Sequence, residues 1–157
     1  GIWTGWSKTL PAGPRRPCRK PGSSGSGGKI DFLGRLSPAD MKREYLQCNV
    51  FVLPSTVENS PNSLGEAMLL GVPCVAADVG GVSTMLKDRE EGLLYPSTEP
   101  FLLAAKILEI FDLEDKAAAL GAAAQAHARK THDPQANLAA LRGIYEALAL
   151  AKREEQP

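Results

Sequence analysis

The sequence predicts an α/β domain, with a Rossmann-like parallel sheet flanked by helices and a helical C-terminal part. Short apolar runs of strand length alternate with helical stretches from residue 29 onward, which is typical of strand–helix–strand units. Residues 50–53 are all apolar, as in parallel strands that are buried on both faces. Over residues 135–152 apolar side chains recur at three-to-four spacing, which indicates an amphipathic helix.

The first strand is predicted over residues 30–33 and the first helix over residues 38–47. Ser37 supplies a side-chain N-cap, and Pro38 fits the first helical position because no N–H is needed there. The side chains of this helix that are expected to face the core are Met41, Tyr45 and Leu46.

Proline and glycine mark the ends of the next elements. Pro54 stops the strand over residues 50–53, and Gly71 fits the position just after a helix over residues 61–70. The further elements expected are strands over 75–77 (with Cys74) and 92–95, and helices over 82–86, 99–112, 114–129 and 135–152. A complete doubly wound half usually has more than these four strands, so the domain is predicted to be truncated at its N-terminus.

Charge and composition divide the chain into two parts. Residues 1–28 carry five basic side chains, no acidic one, seven glycines and four prolines, whereas the remainder carries 13 basic and 18 acidic side chains. Ordering such a stretch costs backbone entropy that its small apolar surface does not offset. We therefore expect a flexible leader or linker over residues 1–28, one folded domain over residues 29–152 and a tail over residues 153–157.

The composition also argues against several functional classes. Zero net charge over 157 residues is untypical of a nucleic-acid binder, so no nucleic-acid partner is expected. No uncharged apolar run approaches the roughly 20 residues that a membrane span needs. Three widely spaced cysteines form no CxxC pair and no metal-ligand spacing, which favours a reduced protein in the cytoplasm. They are Cys18, Cys48 and Cys74.

Ligands of parallel sheets bind beyond the carboxyl ends of the strands, so the loops at those ends are the candidate site. The loop after residues 50–53 is unusual because Glu58 lies on it and Glu66 follows, seven intervening residues later, on the next helix. A single glutamate of this kind is more often a solvated surface residue. The first turn of that helix, however, is expected to offer free backbone N–H groups to an anion. The amides concerned are those of Asn62, Ser63 and Leu64.

Four segments in this order make the pattern specific. They read FVLPS at 51–55, ENSPNSLGEAM at 58–68, GVPCV at 71–75 and DVGG at 78–81. Together they resemble the donor-binding, C-terminal half of a retaining glycosyltransferase of the GT-B fold, family 4, also called glycosyl transferases group 1. The resemblance extends from about residue 29 to residue 149, and it implies transfer of a hexosyl group from a nucleotide-sugar to an acceptor.

The resemblance implies a role for each matching residue. Glu66 would accept hydrogen bonds from the ribose hydroxyls, and Glu58 would act beside the donor sugar as the catalytic residue that stabilises positive charge at the anomeric carbon. Ser60 and the backbone of residues 62–64 would contact the distal phosphate or the sugar, and residues 34–36 would flank the base. The loop residues concerned are Gly34, Arg35 and Leu36. A UDP-sugar is the expected donor, with no cofactor and no metal ion.

The sequence also departs from the family pattern. Relatives commonly have Phe-Gly where Ser60 and Pro61 stand, and they place an Arg and a Lys from an earlier strand–helix unit on the diphosphate. Residues 1–28 reproduce no such unit, and the N-terminal, acceptor-binding domain is expected to be missing. The chain alone is therefore expected to transfer little or no sugar. Contact with a membrane surface is expected only through that missing half.

Two alternatives to this function are a binding module without catalysis and a sugar-nucleotide epimerase. A nucleotide- or protein-binding module without catalysis would keep the same fold, whereas a sugar-nucleotide epimerase would need a His and acidic acid–base pattern that is not found. His127 and His132 are expected to have solvent or helix-dipole roles. Three carboxylates are expected to form a solvated turn: Asp88, Glu90 and Glu91.

Overall fold

A computed structural model describes residues 32–112 and 114–154 of the chain. Within these residues, strands and helices alternate before a helical C-terminal part, as predicted. In chain order the elements are α1 (Pro38–Gln47), β1 (Phe51–Leu53), α2 (Asn62–Leu69), β2 (Cys74–Ala77), α3 (Val82–Met85), β3 (Leu93–Tyr95), α4 (Pro100–Asp112), α5 (Glu114–Thr131) and α6 (Pro134–Glu154).

The described strands form one parallel sheet in the order β1-β2-β3, which confirms the α/β fold class. Phe51 pairs with Cys74, and Val75 pairs with Leu93. All four residues of β2 are buried, as expected for the central strand of a parallel sheet. Since parallel strands end at the same edge, the loops that follow β1 and β2 leave the sheet side by side.

The strand predicted over residues 30–33 is wrong at its described end. Phe32 and Leu33 have no strand structure, and Phe32 is 93% exposed. A strand needs a neighbour to satisfy its backbone hydrogen bonds, and no described strand pairs with these two residues. Residues 30 and 31 lie outside the described part of the chain, as does the leader predicted over residues 1–28.

The core has one apolar cluster on each face of the sheet. On one face, Leu64 and Met68 of α2 pack with Ala124 and Ala128 of α5. On the other face, a cluster that includes Ile110 of α4 covers the sheet. On α5, a Cβ placed on Gly121 would overlap the Gly71 carbonyl oxygen, so this glycine lets the helix come close to the rest of the domain.

Helix α1 begins at the predicted cap, but most of its predicted core side chains are not buried. The Ser37 hydroxyl caps the helix by accepting a hydrogen bond from the Asp40 amide. Of its predicted core residues only Tyr45 is buried, whereas Met41 and Leu46 are 37% and 47% exposed, so the prediction is wrong for those two. The described chain offers no second surface against which they could pack.

Helix α6 forms where the periodicity predicts it, yet its apolar face lies in the open. No other described element packs extensively along it, and the large apolar side chains whose exposure is described are each at least 44% exposed. They are Leu138, Leu141, Ile144, Tyr145 and Leu148. None of the described helices is long and apolar enough to span a lipid bilayer.

Candidate functional site

The loops that follow β1 and β2 are in direct backbone contact. A Cβ placed on Gly80 would overlap the carbonyl oxygen of Glu58, and one on Gly81 would overlap the carbonyl oxygen of Asn59. Gly80 also has a positive φ of 52°, which L-residues with a side chain rarely adopt. The two glycines therefore allow the second loop to press against the backbone of the first, at the residue that carries the candidate catalytic carboxylate.

The Glu58 side chain is held from its own loop. The Ser55 hydroxyl donates a hydrogen bond of 2.8 Å to Glu58 Oε1, and both side chains are half-buried. Among the described residues, none donates a hydrogen bond to Glu58 Oε2. One oxygen of this carboxylate is thus fixed, and the other is available to accept a hydrogen bond from a ligand.

The N-terminus of α2 lies directly after this loop. Pro61 is its N-cap, and the Pro61 carbonyl accepts hydrogen bonds from the Leu64 amide at 3.1 Å and the Gly65 amide at 3.3 Å. The Leu64 amide is therefore already bonded, which corrects the prediction that three amides are free. Within the described part of the chain the amides of Asn62 and Ser63 have no such partner. Two N–H groups of the first turn remain available to an anion.

Tyr45 connects α1 to the same helical turn. Its ring is buried and meets the Phe51 ring edge-on at 5.5 Å between centroids, and its hydroxyl donates to the Ser63 carbonyl at 3.2 Å. Burial, followed by the nearby negative charge of Glu66, raises the pKa of Tyr45 to about 12. The hydroxyl therefore stays protonated, and the Glu66 carboxylate lies close enough to contribute to this shift. The sequence predicted Tyr45 as a core residue but gave no signal of this second contact.

Tyr45→Phe is expected to lower the free energy of unfolding by about 1 kcal/mol, because the Ser63 carbonyl loses a partly buried hydrogen-bond donor. Urea denaturation followed by circular dichroism measures the change. The matched control is Tyr145→Phe on α6, where the side chain is 66% exposed and no change is expected. Equal stability of both variants would contradict a contribution from the Tyr45 hydroxyl.

The remaining predicted site residues lie around this centre. The Ser60 hydroxyl is exposed and donates to Met85 Sδ at 3.6 Å, so it faces α3. Gly34 turns the chain before α1 with a φ of 64°, Arg35 is exposed and Leu36 is half-buried. No hydrogen bond described in the structure joins these three residues to the Glu58–Glu66 segment.

The carboxylates at positions 88, 90 and 91 differ from the solvated turn that the sequence predicts. Asp88 and Glu90 are exposed, but Glu91 is buried and accepts a hydrogen bond from the Lys87 amide at 3.1 Å. Glu91 Oε2 also lies 2.8 Å from Nδ1 of His127 on α5. These residues precede β3, at the edge of the sheet opposite the candidate site, so they fasten α5 to the sheet. The prediction of a solvated turn is wrong for Glu91, because this side chain is buried and paired with His127. Local sequence does not indicate this pair, since the two residues are 36 positions apart.

The described residues contain no group of three or more His, Cys, Asp or Glu side chains that could hold a metal ion together. Neither described cysteine forms a disulfide bond, and burial raises the pKa of the Cys74 thiol to about 12. Cys74 therefore stays protonated and packs as a small apolar residue, as its surroundings in the sequence predict.

The chain is similar in sequence and in fold to known proteins. Residues 22–127 match the family described as Glycosyl transferases group 1, and this match covers more than half of the chain. The chain belongs to the group 1 glycosyl transferases. Among the curated relatives, the D-inositol 3-phosphate glycosyltransferase of Streptomyces scabiei is 32% identical over 124 residues. That alignment covers 68% of this chain and 28% of the relative.

Other group 1 relatives give the same picture. The D-inositol 3-phosphate glycosyltransferase of Corynebacterium efficiens is 31% identical over 101 residues, which are 64% of this chain and 24% of that protein. The chain thus spans about a quarter of the length of the curated relatives it matches.

Two solved structures share the fold. Sucrose-phosphate synthase from Thermosynechococcus elongatus superposes with a TM-score of 0.72 at 28% identity, over 77% of this chain and 30% of that one. Anabaena HepE in complex with UDP and glucose gives a TM-score of 0.56 at 29% identity, over 71% of this chain and 30% of that one.

Proposed function

We propose that this chain is the donor-binding, C-terminal part of a retaining, GT-B-fold glycosyltransferase of family 4, and that it binds a UDP-sugar. The observation that carries the proposal is the arrangement at the carboxyl edge of the sheet. Glu58 and Glu66 lie on either side of a helix N-terminus whose Asn62 and Ser63 amides are free to bind an anion. The solved complex of a related protein with UDP and glucose supports this class of ligand.

Each part of the site has a matching part of the donor. The two carboxylate oxygens of Glu66 can accept hydrogen bonds from two neighbouring ribose hydroxyls. The Asn62 and Ser63 amides, at the positive end of the α2 dipole, suit the diphosphate. Glu58 Oε2 is the free acceptor that faces the sugar and stabilises positive charge at the anomeric carbon as the bond to the leaving diphosphate breaks.

The outer contacts complete the donor site. We assign Gly34, Arg35 and Leu36 to the base, and Ser60 to the sugar or distal phosphate. Leu64 is assigned no contact with the donor, because its amide is already bonded to the Pro61 carbonyl, and its buried side chain belongs to the core. This scheme uses no metal ion and no cofactor.

Transfer needs more than these residues supply. Departure of a diphosphate requires positive charge near its oxygens, and residues 1–28 do not reproduce the strand–helix unit that would place an Arg and a Lys there. We therefore propose that an N-terminal, acceptor-binding domain acts together with this one. The exposed apolar face of α6 supports a domain contact, and any contact with a membrane surface belongs to that other domain. The odd number and wide spacing of the three cysteines are untypical of a disulfide framework, which favours a cytoplasmic location.

Calorimetric titration of the chain with UDP tests the proposal. We expect UDP to bind and Glu66→Ala to weaken binding by about 10–100-fold, since hydrogen bonds to a charged group are lost. GDP serves as the second nucleotide, to compare the bases. The matched control is Glu146→Ala, which removes an exposed carboxylate from α6 and is expected to leave UDP binding unchanged.

Two outcomes would contradict this function. If the folded chain binds neither nucleotide, or if binding does not depend on Glu66, the fold serves as a non-catalytic binding module instead. Circular dichroism of each variant shows that the fold is retained in the comparison.

A further inference from the structure

We propose that Ser55 is a positioning residue, which holds the Glu58 carboxylate so that its second oxygen faces the donor sugar. This inference rests on the proposed donor site and adds a residue to it. Ser55 acts through Glu58 and has no contact with the donor itself.

Ser55 is well placed to act as a fixed point. It follows β1 by two residues, and β1 is paired in register with the buried strand β2. Pro54 lies between the strand and Ser55 and restricts the backbone at this exit. Because its backbone is restricted, the Ser55 hydroxyl moves little. Its hydrogen bond of 2.8 Å therefore holds Glu58 Oε1 in one place.

The rest of the loop cannot position the side chain by itself. Gly80 and Gly81 press against the backbone of Glu58 and Asn59, so they fix the main chain of the loop. The Glu58 side chain still has three rotatable bonds, and holding it in one conformation costs rotamer entropy. Within the described chain the Ser55 hydroxyl is the hydrogen-bond partner of this carboxylate, so its bond meets that cost before the donor arrives.

The experiment compares UDP with UDP-glucose as calorimetric probes of the chain. The change in each dissociation constant between a variant and the unaltered chain shows whether the variant affects the sugar part of the site, in which Glu58 takes part, or the nucleotide part. Ser55→Ala is expected to weaken UDP-glucose binding by about 3–10-fold while UDP binding changes less than twofold, because one hydrogen bond is lost. Ser55→Thr keeps the hydroxyl and is expected to restore the affinity for UDP-glucose.

The double variant Ser55→Ala/Glu58→Ala separates positioning from a general structural role. If Ser55 acts through Glu58, the double variant binds UDP-glucose as tightly as Glu58→Ala alone. An additional loss in the double variant overturns the inference, as does wild-type affinity for UDP-glucose in Ser55→Ala. Losses of equal size for UDP and UDP-glucose in Ser55→Ala would overturn it too, while the nucleotide site stands. Absence of UDP binding would instead refute the donor site itself.

Discussion

Gly81→Ala is expected to weaken UDP-glucose binding by about 10–100-fold, because a displaced Glu58 carboxylate loses its charge-assisted hydrogen bonds to the sugar. The new Cβ would overlap the Asn59 carbonyl oxygen, so the backbone next to Glu58 must move. Gly81 has a φ of −86°, which alanine adopts without strain, and the effect is therefore steric. Calorimetric titration with UDP-glucose and UDP measures it, and the loss is expected mainly for UDP-glucose.

Two further glycine variants serve as comparisons for Gly81→Ala. Gly80→Ala adds the cost of a positive φ to a similar overlap and is expected to lower stability as well. Gly143→Ala is the matched control, because α6 leaves open space around that position. It is expected to leave binding unchanged and to stabilise the chain by about 0.5–1 kcal/mol. UDP-glucose affinity of Gly81→Ala equal to that of the unaltered chain would show that the loop moves without displacing Glu58.

Most secondary structure could be predicted because its signals are local. Pro54 ends β1, Gly71 follows α2 with a positive φ of 68°, and Ser37 caps α1, each as its residue type indicates. The all-apolar run before Pro54 indicated a strand buried in a parallel sheet, and β1 pairs with β2 accordingly. Such features depend on a few adjacent residues, which the sequence displays directly.

The errors arise where a local pattern needs a distant partner. Phe32 and Leu33 have strand composition but no described neighbouring strand, and Met41 has the spacing of a core residue without a surface to cover it. The apolar face of α6 is of the same kind, since its periodicity predicts a buried stripe that the described chain leaves exposed. Periodicity identifies an apolar face but does not supply its partner.

Some features of the candidate site could also be predicted from local sequence, whereas others depend on the three-dimensional structure. The spacing of Glu58 and Glu66 and the helix start between them could be predicted from the residues. The bonding of the Leu64 amide to Pro61 could not, because it depends on how tightly the first turn of α2 winds. The approach of Gly80 to Glu58 joins two loops through the sheet, and only the three-dimensional structure displays it.

Leu64→Ala is expected to lower the free energy of unfolding by about 2–5 kcal/mol, because it opens a cavity in the core. Leu64 is completely buried, in the cluster that joins α2 to α5. A small domain is stable by only about 5–15 kcal/mol, so this one side chain accounts for a large fraction. The measurement is urea denaturation, and the control is Leu141→Ala on α6, where the side chain is 50% exposed and a change within about 0.5 kcal/mol is expected.

The same variant tests the link between the core and the donor site. Leu64 supports the helical turn that carries the Asn62 and Ser63 amides, so the cavity loosens the proposed phosphate site. A ligand stabilises a protein in proportion to the logarithm of its concentration over its dissociation constant. At equal UDP concentrations we therefore expect less stabilisation of Leu64→Ala than of the unaltered chain. Equal stabilisation would mean that the amides keep their positions over the cavity and that core packing and nucleotide binding are independent.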